Sequence, residues 1–225
     1  MTAKNVYDEK DPVGSSLKLR RLLDKYAQTI RPWADETAKK MVLDVTRRDE
    51  KFWAEQSRNM AGALREEIKS TPIGAVLRQR TREAAALITS LPLEAAQRVE
   101  RLAVRQLSGG ARAGELAREI MRTGHVTESR ANLIARTETS RTASLLQQTR
   151  AEYVGSEGYI WRTAGDADVR EVHRRLAGKF FRWDSPPVAG ENGERSHPGG
   201  IYNCRCWAEI VLPGEERRRF AAEAA

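Results

Sequence analysis

The character of this sequence changes at Gly155, and the change limits the folds open to the chain. After Gly155, turn residues and aromatic residues dominate: residues 184–200 hold three prolines and four glycines, and seven of the fourteen aromatic residues lie between Tyr159 and Trp207. Before it, apolar residues recur at helical spacing, as in Met41, Val42, Val45, Phe52 and Trp53. The pattern predicts an α+β protein, with a mainly α-helical N-terminal region followed by a small α+β C-terminal module with a short sheet.

Breaks in the helical pattern predict the domain organisation. Leu91-Pro92 predicts a restart of the pattern, and Ser108-Gly109-Gly110 predicts a clear break. We expect a basic α-helical region over residues 1–109 and a second domain over residues 110–225. This second domain would begin with two helices, over 113–122 and 128–154, that separate at Gly124.

The module after Gly155 is predicted over residues 156–212. Strands are expected at Tyr159–Trp161, Lys179–Trp183 and Cys206–Leu212, because aromatic and β-branched residues concentrate there. A turn from Asp166 leads into a short helix that ends before Gly178, and a charged helical tail would follow over 215–225. The seven aromatic residues are expected to form the core of this module.

Basic charge is confined to the first two thirds of the chain. The net charge is +8; residues 1–150 hold 28 Lys+Arg against 19 Asp+Glu, whereas residues 151–225 hold 11 against 12. Clustered cations attract phosphate backbones regardless of base sequence, so nonspecific DNA is a candidate partner. A solvated helix surface with many i,i+4 ion pairs is the other interpretation.

No stretch of the sequence approaches 18 consecutive apolar residues, so no membrane span is expected. The first twenty residues lack the apolar run of a secretion signal, which favours folding in the cytosol. In that reducing compartment a C-R-C pair is expected to be reduced or bound to metal.

Four of the chain's five histidine and cysteine residues lie within 34 positions of each other: His173, His197, Cys204 and Cys206. Imidazole nitrogen and thiolate sulfur bind zinc tetrahedrally, so the four could form one site. The C-x-C spacing is tighter than is usual for zinc. The other interpretation is that His173 hydrogen-bonds locally and that both cysteines pack as small apolar residues on one face of a strand.

A second constellation contains Asp166, Asp168, Arg170 and His173. The sequence favours a buried polar network that holds the strand–helix–strand unit together, with Asp166 as a possible helix cap. The alternative is a small hydrolase or nuclease-type effector that uses His173 with Asp166 or Asp168 and Cys204. No recognised catalytic motif is complete, so we do not expect an enzyme.

The segment from Ser129 to Ala143 is rich in arginine and threonine. Arg130 and Arg141 are three helical turns apart and share a face, whereas Arg136 lies off that face. These arginines could contact DNA or a partner. Equally, the segment could be an amphipathic helix, with a buried side of Leu133, Ile134, Leu145 and Leu146, that docks on the C-terminal module, and the sequence does not separate the two.

Three ordered blocks give the chain a family resemblance. They read I-A-R-T-E-T-S-R (134–141), W-R-T-A-G-D-A-D-V-R-E-V-H-R-R-L-A-G-K (161–179) and H-P-G-G-I-Y-N-C-R-C-W-A (197–208). Together they resemble the Mu-F-like phage head morphogenesis family, the minor head proteins of tailed bacteriophages. The resemblance spans roughly residues 110–212.

This resemblance implies a few-copy virion component near the portal vertex or the capsid interior, with the portal protein, capsid components and DNA as partners. It implies a role in capsid assembly, DNA packaging or DNA delivery, and a location in the host cytoplasm during assembly and then in the virion. Similar proteins can carry Cys-x-x-Cys where Arg170 and His173 stand here. A metal in this chain would therefore rely on His173, His197, Cys204 and Cys206.

Overall fold

The computed structural model describes residues 11–59, 62–109 and 113–213. Three helices come first: α1 (Pro12–Thr29), α2 (Arg31–Gln56) and α3 (Gly62–Ser70), with a 3-10 turn at Ser57–Asn59 after α2. Asp11 caps α1, because its side chain accepts a hydrogen bond of 2.9 Å from the backbone of Gly14. The predicted helical tail over 215–225 lies outside the described residues.

Two long helices follow, and they correct two sequence-based boundaries. Helix α4 spans Gly74–Gly109 and includes Pro92, where a restart was expected. Helix α5 spans Ala113–Tyr153, so the helices predicted over 113–122 and 128–154 are one helix that passes through Gly124. A glycine inside a helix costs about 1 kcal/mol relative to alanine, which the rest of a 41-residue helix can outweigh.

The small sheet confirms the α+β prediction. Strands β1 (Gly158–Arg162), β2 (Phe180–Arg182) and β3 (Trp207–Val211) form an antiparallel sheet in the order β2-β1-β3. The short helix α6 (Glu171–Leu176) connects β1 to β2. In the central strand, Tyr159 and Trp161 are fully buried. They pair across β1 and β3 with Ile210 and Ala208.

The chain divides into two compact units, each made of two sequence segments. The first contains residues 1–39 and 81–135, and the second contains residues 40–80 and 136–225. The predicted boundary between residues 109 and 110 stays a prediction. Among the described residues of the first unit, most buried apolar side chains are alanines, which suits close helix packing; these are Ala27, Ala34, Ala38, Ala84, Ala85 and Ala96.

The second unit contains the aromatic core. Trp53 of α2 and Ile68 of α3 join the core of the α+β module, so the core extends beyond the residues predicted for it. The indole of Trp183 donates a hydrogen bond of 3.1 Å to the Ser156 hydroxyl. Its ring centroid lies 4.5 Å from that of Tyr159. Of the predicted aromatic set, Trp207 and Tyr202 are exposed.

Among the described residues, no helix combines the length and apolar character needed to cross a bilayer.

Candidate metal centre

His173, Cys204 and Cys206 come together although the histidine and the first cysteine are 31 positions apart in the sequence. Helix α6 carries the histidine, and the two cysteines lie on the extended segment that leads into β3. The Nδ1 atom of His173 is 3.7 Å from the sulfur of Cys204 and 3.4 Å from the sulfur of Cys206. All three residues are buried, and their ligand atoms lie within 4.8 Å of one another.

A backbone carbonyl fixes the orientation of the His173 ring. Its Nε2 atom lies 3.0 Å from the carbonyl oxygen of Ala189, which can only accept a hydrogen bond. Nε2 must therefore carry the proton, and in the neutral ring the lone pair of Nδ1 faces the two sulfurs. Metal-bound histidines are oriented in the same way, with the second nitrogen donating to a carbonyl.

Hydrogen-bond donors surround the two sulfurs. The backbone N–H of Cys206 points at the Cys204 sulfur at 3.4 Å. Hydrogen bonds from the Cys206 thiol and from this backbone N–H lower the pKa of Cys204, against the opposing effect of burial. The pKa of Cys206 is raised, because its thiol donates a hydrogen bond to the Cys204 sulfur and because it would ionise in a buried position next to the Cys204 thiolate. The pair therefore releases its first proton readily and holds the second.

Trp161 supplies an unused polar group beside the same sulfurs. Its indole N–H is buried and makes no hydrogen bond of normal length. This N–H group is still close enough to Cys206 to act against the net rise in that thiol's pKa. The Trp161 ring lies 5.3 Å from the His173 ring. An N–H group in this position would stabilise a metal-bound thiolate at Cys206.

His197, the fourth ligand expected from the sequence, lies elsewhere among the described residues. The Tyr159 hydroxyl is 3.0 Å from its Nδ1 atom, and its ring packs on Tyr159 and Trp183. Burial lowers the pKa of His197 and raises that of Tyr159. The ring is therefore held as a neutral acceptor for the tyrosine O–H, which supports the module core.

Side chains of α5 hold the segment that carries the cysteines. Ser140 donates to the carbonyl of Cys204 at 2.9 Å, and Arg141 donates to the carbonyl of Gly200 at 2.9 Å. The backbone N–H of Asn203 donates to the Thr137 hydroxyl at 3.1 Å. The first and third sequence blocks are thus physically joined, which favours the docking interpretation of this helix over the DNA one at these positions.

A buried charge network lies behind this contact; the sequence indicated the pair of Glu138 with Arg141 but not the partner of Glu138 on α4. The carboxylate of Glu138 forms ion pairs with Arg80 of α4 and with Arg141. Arg80 also donates to Thr142 at 3.4 Å. The signal available in the sequence was a glutamate within the T-E-T-S-R run, and its partner Arg80 lies 58 residues away.

The Asp166–Asp168–Arg170 network is at the surface rather than buried. Arg205 binds Asp166 at 2.7 Å and Asp168 at 3.4 Å, and both carboxylates are exposed. Asp166 accepts from the backbone of Asp168, and α6 begins without a side-chain cap. The predictions of burial and of a cap at Asp166 are wrong, because the turn places both aspartates in solvent, opposite Arg205.

The three arginines proposed as a partner face have different environments. Arg141 is committed to Glu138 and Gly200, as described above. Arg130 lies 3.5 Å from Glu94. Arg136 is exposed, and it is the member of the set best placed for an external partner.

The donor set fits zinc. Two thiolates and one imidazole nitrogen form the Cys₂His combination that zinc accepts, and N–H donors near the sulfurs and a carbonyl behind the imidazole complete the surroundings. A cavity of about 100 Å³ adjoins all three ligands. The geometry supports metal binding by three residues rather than the predicted four.

Comparison with known proteins identifies related sequences. The family described as "Phage Mu protein F like protein" matches residues 97–209, which is half of the chain. An uncharacterized protein of Haemophilus influenzae is 34% identical over 131 residues, covering 58% of this chain. That match spans 28% of the relative's length. No solved structure matches the chain.

Proposed function

Because this chain belongs to the family of phage Mu F-like proteins, we propose that it is a minor head protein of a tailed bacteriophage. It binds the portal vertex or the capsid interior and acts in head assembly or in DNA packaging and delivery. It assembles in the host cytoplasm and then remains with the virion. The family match over residues 97–209 carries this proposal.

Co-expression with the portal and major capsid proteins of the same phage tests the assembly role. We expect the chain to copurify with the portal protein and to be present in purified heads in a few copies. Heads that assemble and package DNA normally, without the chain in them, would contradict the role.

A second part of the proposal is contact with packaged DNA. It is supported by the excess of nine positive charges over residues 1–150 and by exposed basic residues on the helices. On α1 and the start of α2 these are Lys18, Arg20, Arg21, Lys25, Arg31 and Lys39. Such contacts would be independent of base sequence and sensitive to salt.

Two arginines on one helix provide the test of DNA contact. Arg136 is exposed, whereas Arg141 is half-buried and bound to the Gly200 carbonyl and to Glu138. We expect Arg136→Ala to reduce the slope of log affinity against log salt by about 1 and to leave stability unchanged. Arg141→Ala should lower stability and leave that slope unchanged. A slope near zero for the parent protein would remove the DNA contact.

We infer a structural rather than a catalytic role for His173. Its Nε2–H group donates to the carbonyl of Ala189, and its Nδ1 atom faces the two sulfurs. The carboxylates of Asp166 and Asp168 are paired with Arg205. The arrangement therefore lacks the carboxylate that would orient the imidazole in a hydrolase of the kind considered from the sequence.

The structural role proposed for these residues is to hold one zinc ion with Cys204 and Cys206. Zinc would clip α6 to the segment before β3 and so stabilise a module with a small core. We expect elemental analysis of the purified protein to give one zinc per chain. Cys206→Ser should abolish the zinc.

His197→Gln serves as the matched control for that measurement. It should retain the zinc, because His197 contacts Tyr159 rather than the cluster. Loss of zinc in His197→Gln would instead support zinc binding by four residues, with His197 as the fourth ligand. A parent protein without metal would mean that the three residues only pack together.

A further inference from the structure

The cavity beside the three ligands is the feature that extends the proposal. Together with residues that include Arg170, Arg205 and Asp168, it is lined by His173, Cys204 and Cys206. Among the described residues, these three are the cluster of metal-ligating side chains that the structure brings together. A tetrahedral ion held by them has a fourth position still to fill.

We propose that this fourth position faces the cavity and takes an exchangeable carboxylate from outside the described chain. The inference rests on the proposed zinc site and specifies its ligand class. Structural zinc sites are normally closed by four protein ligands, and a site with three protein ligands normally admits an outside group.

Charge at the site favours a ligand with a single negative charge. Two thiolates balance the two positive charges of zinc. Among the residues that line the cavity, the charge of Arg205 is balanced by Asp168, while Asp166, the second partner of Arg205, lies outside the lining. Arg170 donates a hydrogen bond to the backbone carbonyl of Tyr202, which is a neutral acceptor. The positive charge of Arg170 also acts on the Cys206 thiol and favours its ionised form. Together with zinc and two thiolates, the residues that line the cavity therefore carry one net positive charge, and a monoanion at the fourth position cancels it.

The size of the cavity further limits which ligands can occupy the fourth position. A cavity of about 100 Å³ has room for about three water molecules, given a volume of about 30 Å³ for each in the liquid. A carboxylate group fits this space, whereas a nucleotide does not. Arg170 and Arg205 offer guanidinium N–H groups, whose geometry matches the two oxygens of a carboxylate. The end of an aspartate or glutamate side chain on a partner protein has the required shape and charge.

The test uses the full chain loaded with Co²⁺ in place of zinc, because the visible absorption of Co²⁺ reports its ligands. We expect acetate to change the spectrum in a saturable way. Arg170→Ala should weaken acetate binding about tenfold, as expected for the loss of one charge-assisted hydrogen bond. Arg175→Ala is the control, since that exposed side chain pairs with Glu171 on α6 and lies outside the cavity lining.

Each outcome decides something different. A saturable shift that depends on Arg170 supports the inference. A Co²⁺ spectrum that acetate does not alter would overturn it, because the fourth position would be closed. The proposal that zinc joins α6 to the segment before β3 would be unaffected. A chain that binds neither Co²⁺ nor zinc would overturn both the carboxylate ligand and the zinc site. The head-protein role would still be tested separately by the copurification experiment.

Discussion

Ser140 of α5 donates a hydrogen bond of 2.9 Å to the backbone carbonyl of Cys204. This contact joins the long helix to the residue that supplies one of the clustered sulfurs. The helix thereby sets the position of the C-x-C segment relative to His173, which α6 places from the other side. The cluster of His173, Cys204 and Cys206 is thus built by three elements, and its geometry depends on a helix that contributes none of the three side chains.

Ser140→Ala removes this contact and leaves the Cys204 carbonyl without that donor. We expect a loss of about 1 kcal/mol in the free energy of unfolding, the typical net value of one hydrogen bond. Urea denaturation measures it. Ser129→Ala is the same change at an exposed position on the same helix and should be nearly neutral. Equal effects of the two substitutions would mean that the Ser140 contact contributes nothing to stability.

Gly199 is required by both its backbone and its neighbours. Its φ is +82°, and a Cβ atom there would lie 3.0 Å from the Ser140 hydroxyl oxygen and 3.3 Å from Cβ of Ser144. Gly199→Ala should therefore add a steric conflict to a backbone cost of about 1 kcal/mol. We expect a larger loss of unfolding free energy than the backbone alone explains, together with reduced zinc content.

Gly193→Ala separates the two effects. Gly193 has nearly the same φ, +83°, and nothing lies within 4 Å of the added Cβ. This substitution should show the backbone cost alone and full zinc content. If both variants lose the same stability and both keep zinc, the close approach of Gly199 to α5 is unimportant.

Sequence reasoning could predict the elements of the module because each is marked locally. Aromatic residues marked β1 and β2, and Gly178, with a φ of +79°, marked the end of the segment that contains α6. The helix boundaries at Pro92 and Gly124 were predicted wrongly. Local breaking signals compete there with the cooperativity of a long helix, and the sequence around each residue does not reveal the outcome.

The site was predicted in part, for a related reason. His173 and the cysteines could be grouped by residue type, but separating His197 from them required knowing that Tyr159 faces it. The partners Arg80 and Glu138 were out of reach, because a contact between residues 58 apart depends on how α4 and α5 pack. Periodicity fixes which face of a helix is buried, and it does not fix which residue of another helix meets that face.

A buried ion pair in the second unit allows a controlled stability measurement. The carboxylate of Asp49 accepts from the guanidinium of Arg150 at 2.7 Å, and the two side chains are 2% and 4% exposed. Asp49→Asn would leave the arginine charge buried without its partner, so we expect a loss of about 3–5 kcal/mol.

Asp44→Asn, on the same helix, removes an exposed pair with Arg48 and should cost about 0.5 kcal/mol or less. Denaturant titration of both variants provides the comparison. Equal losses would show that burial adds nothing to the pair at Asp49.

His197 predicts a pH dependence of stability. Burial holds its pKa below the ordinary value of 6.5 in the folded protein, although Glu152 acts in the opposite direction. As pH falls below 6.5, the unfolded chain takes up the proton first, so the unfolded state is favoured. The stabilisation from neutral His197 is therefore complete above 6.5 and is lost as pH falls towards the folded-state pKa.

His197→Gln removes this titration and keeps an acceptor for the Tyr159 hydroxyl. Unfolding free energies of parent and variant should be compared at pH 7.5 and at pH 5, a span of about 2.5 units around the ordinary histidine value. The parent should lose more stability than the variant over that span, because all other residues are the same in both proteins and their contributions cancel in the difference. Parallel pH profiles would show that His197 is as easily protonated in the folded protein as in the unfolded chain, and that its contact with Tyr159 does not depend on a neutral ring.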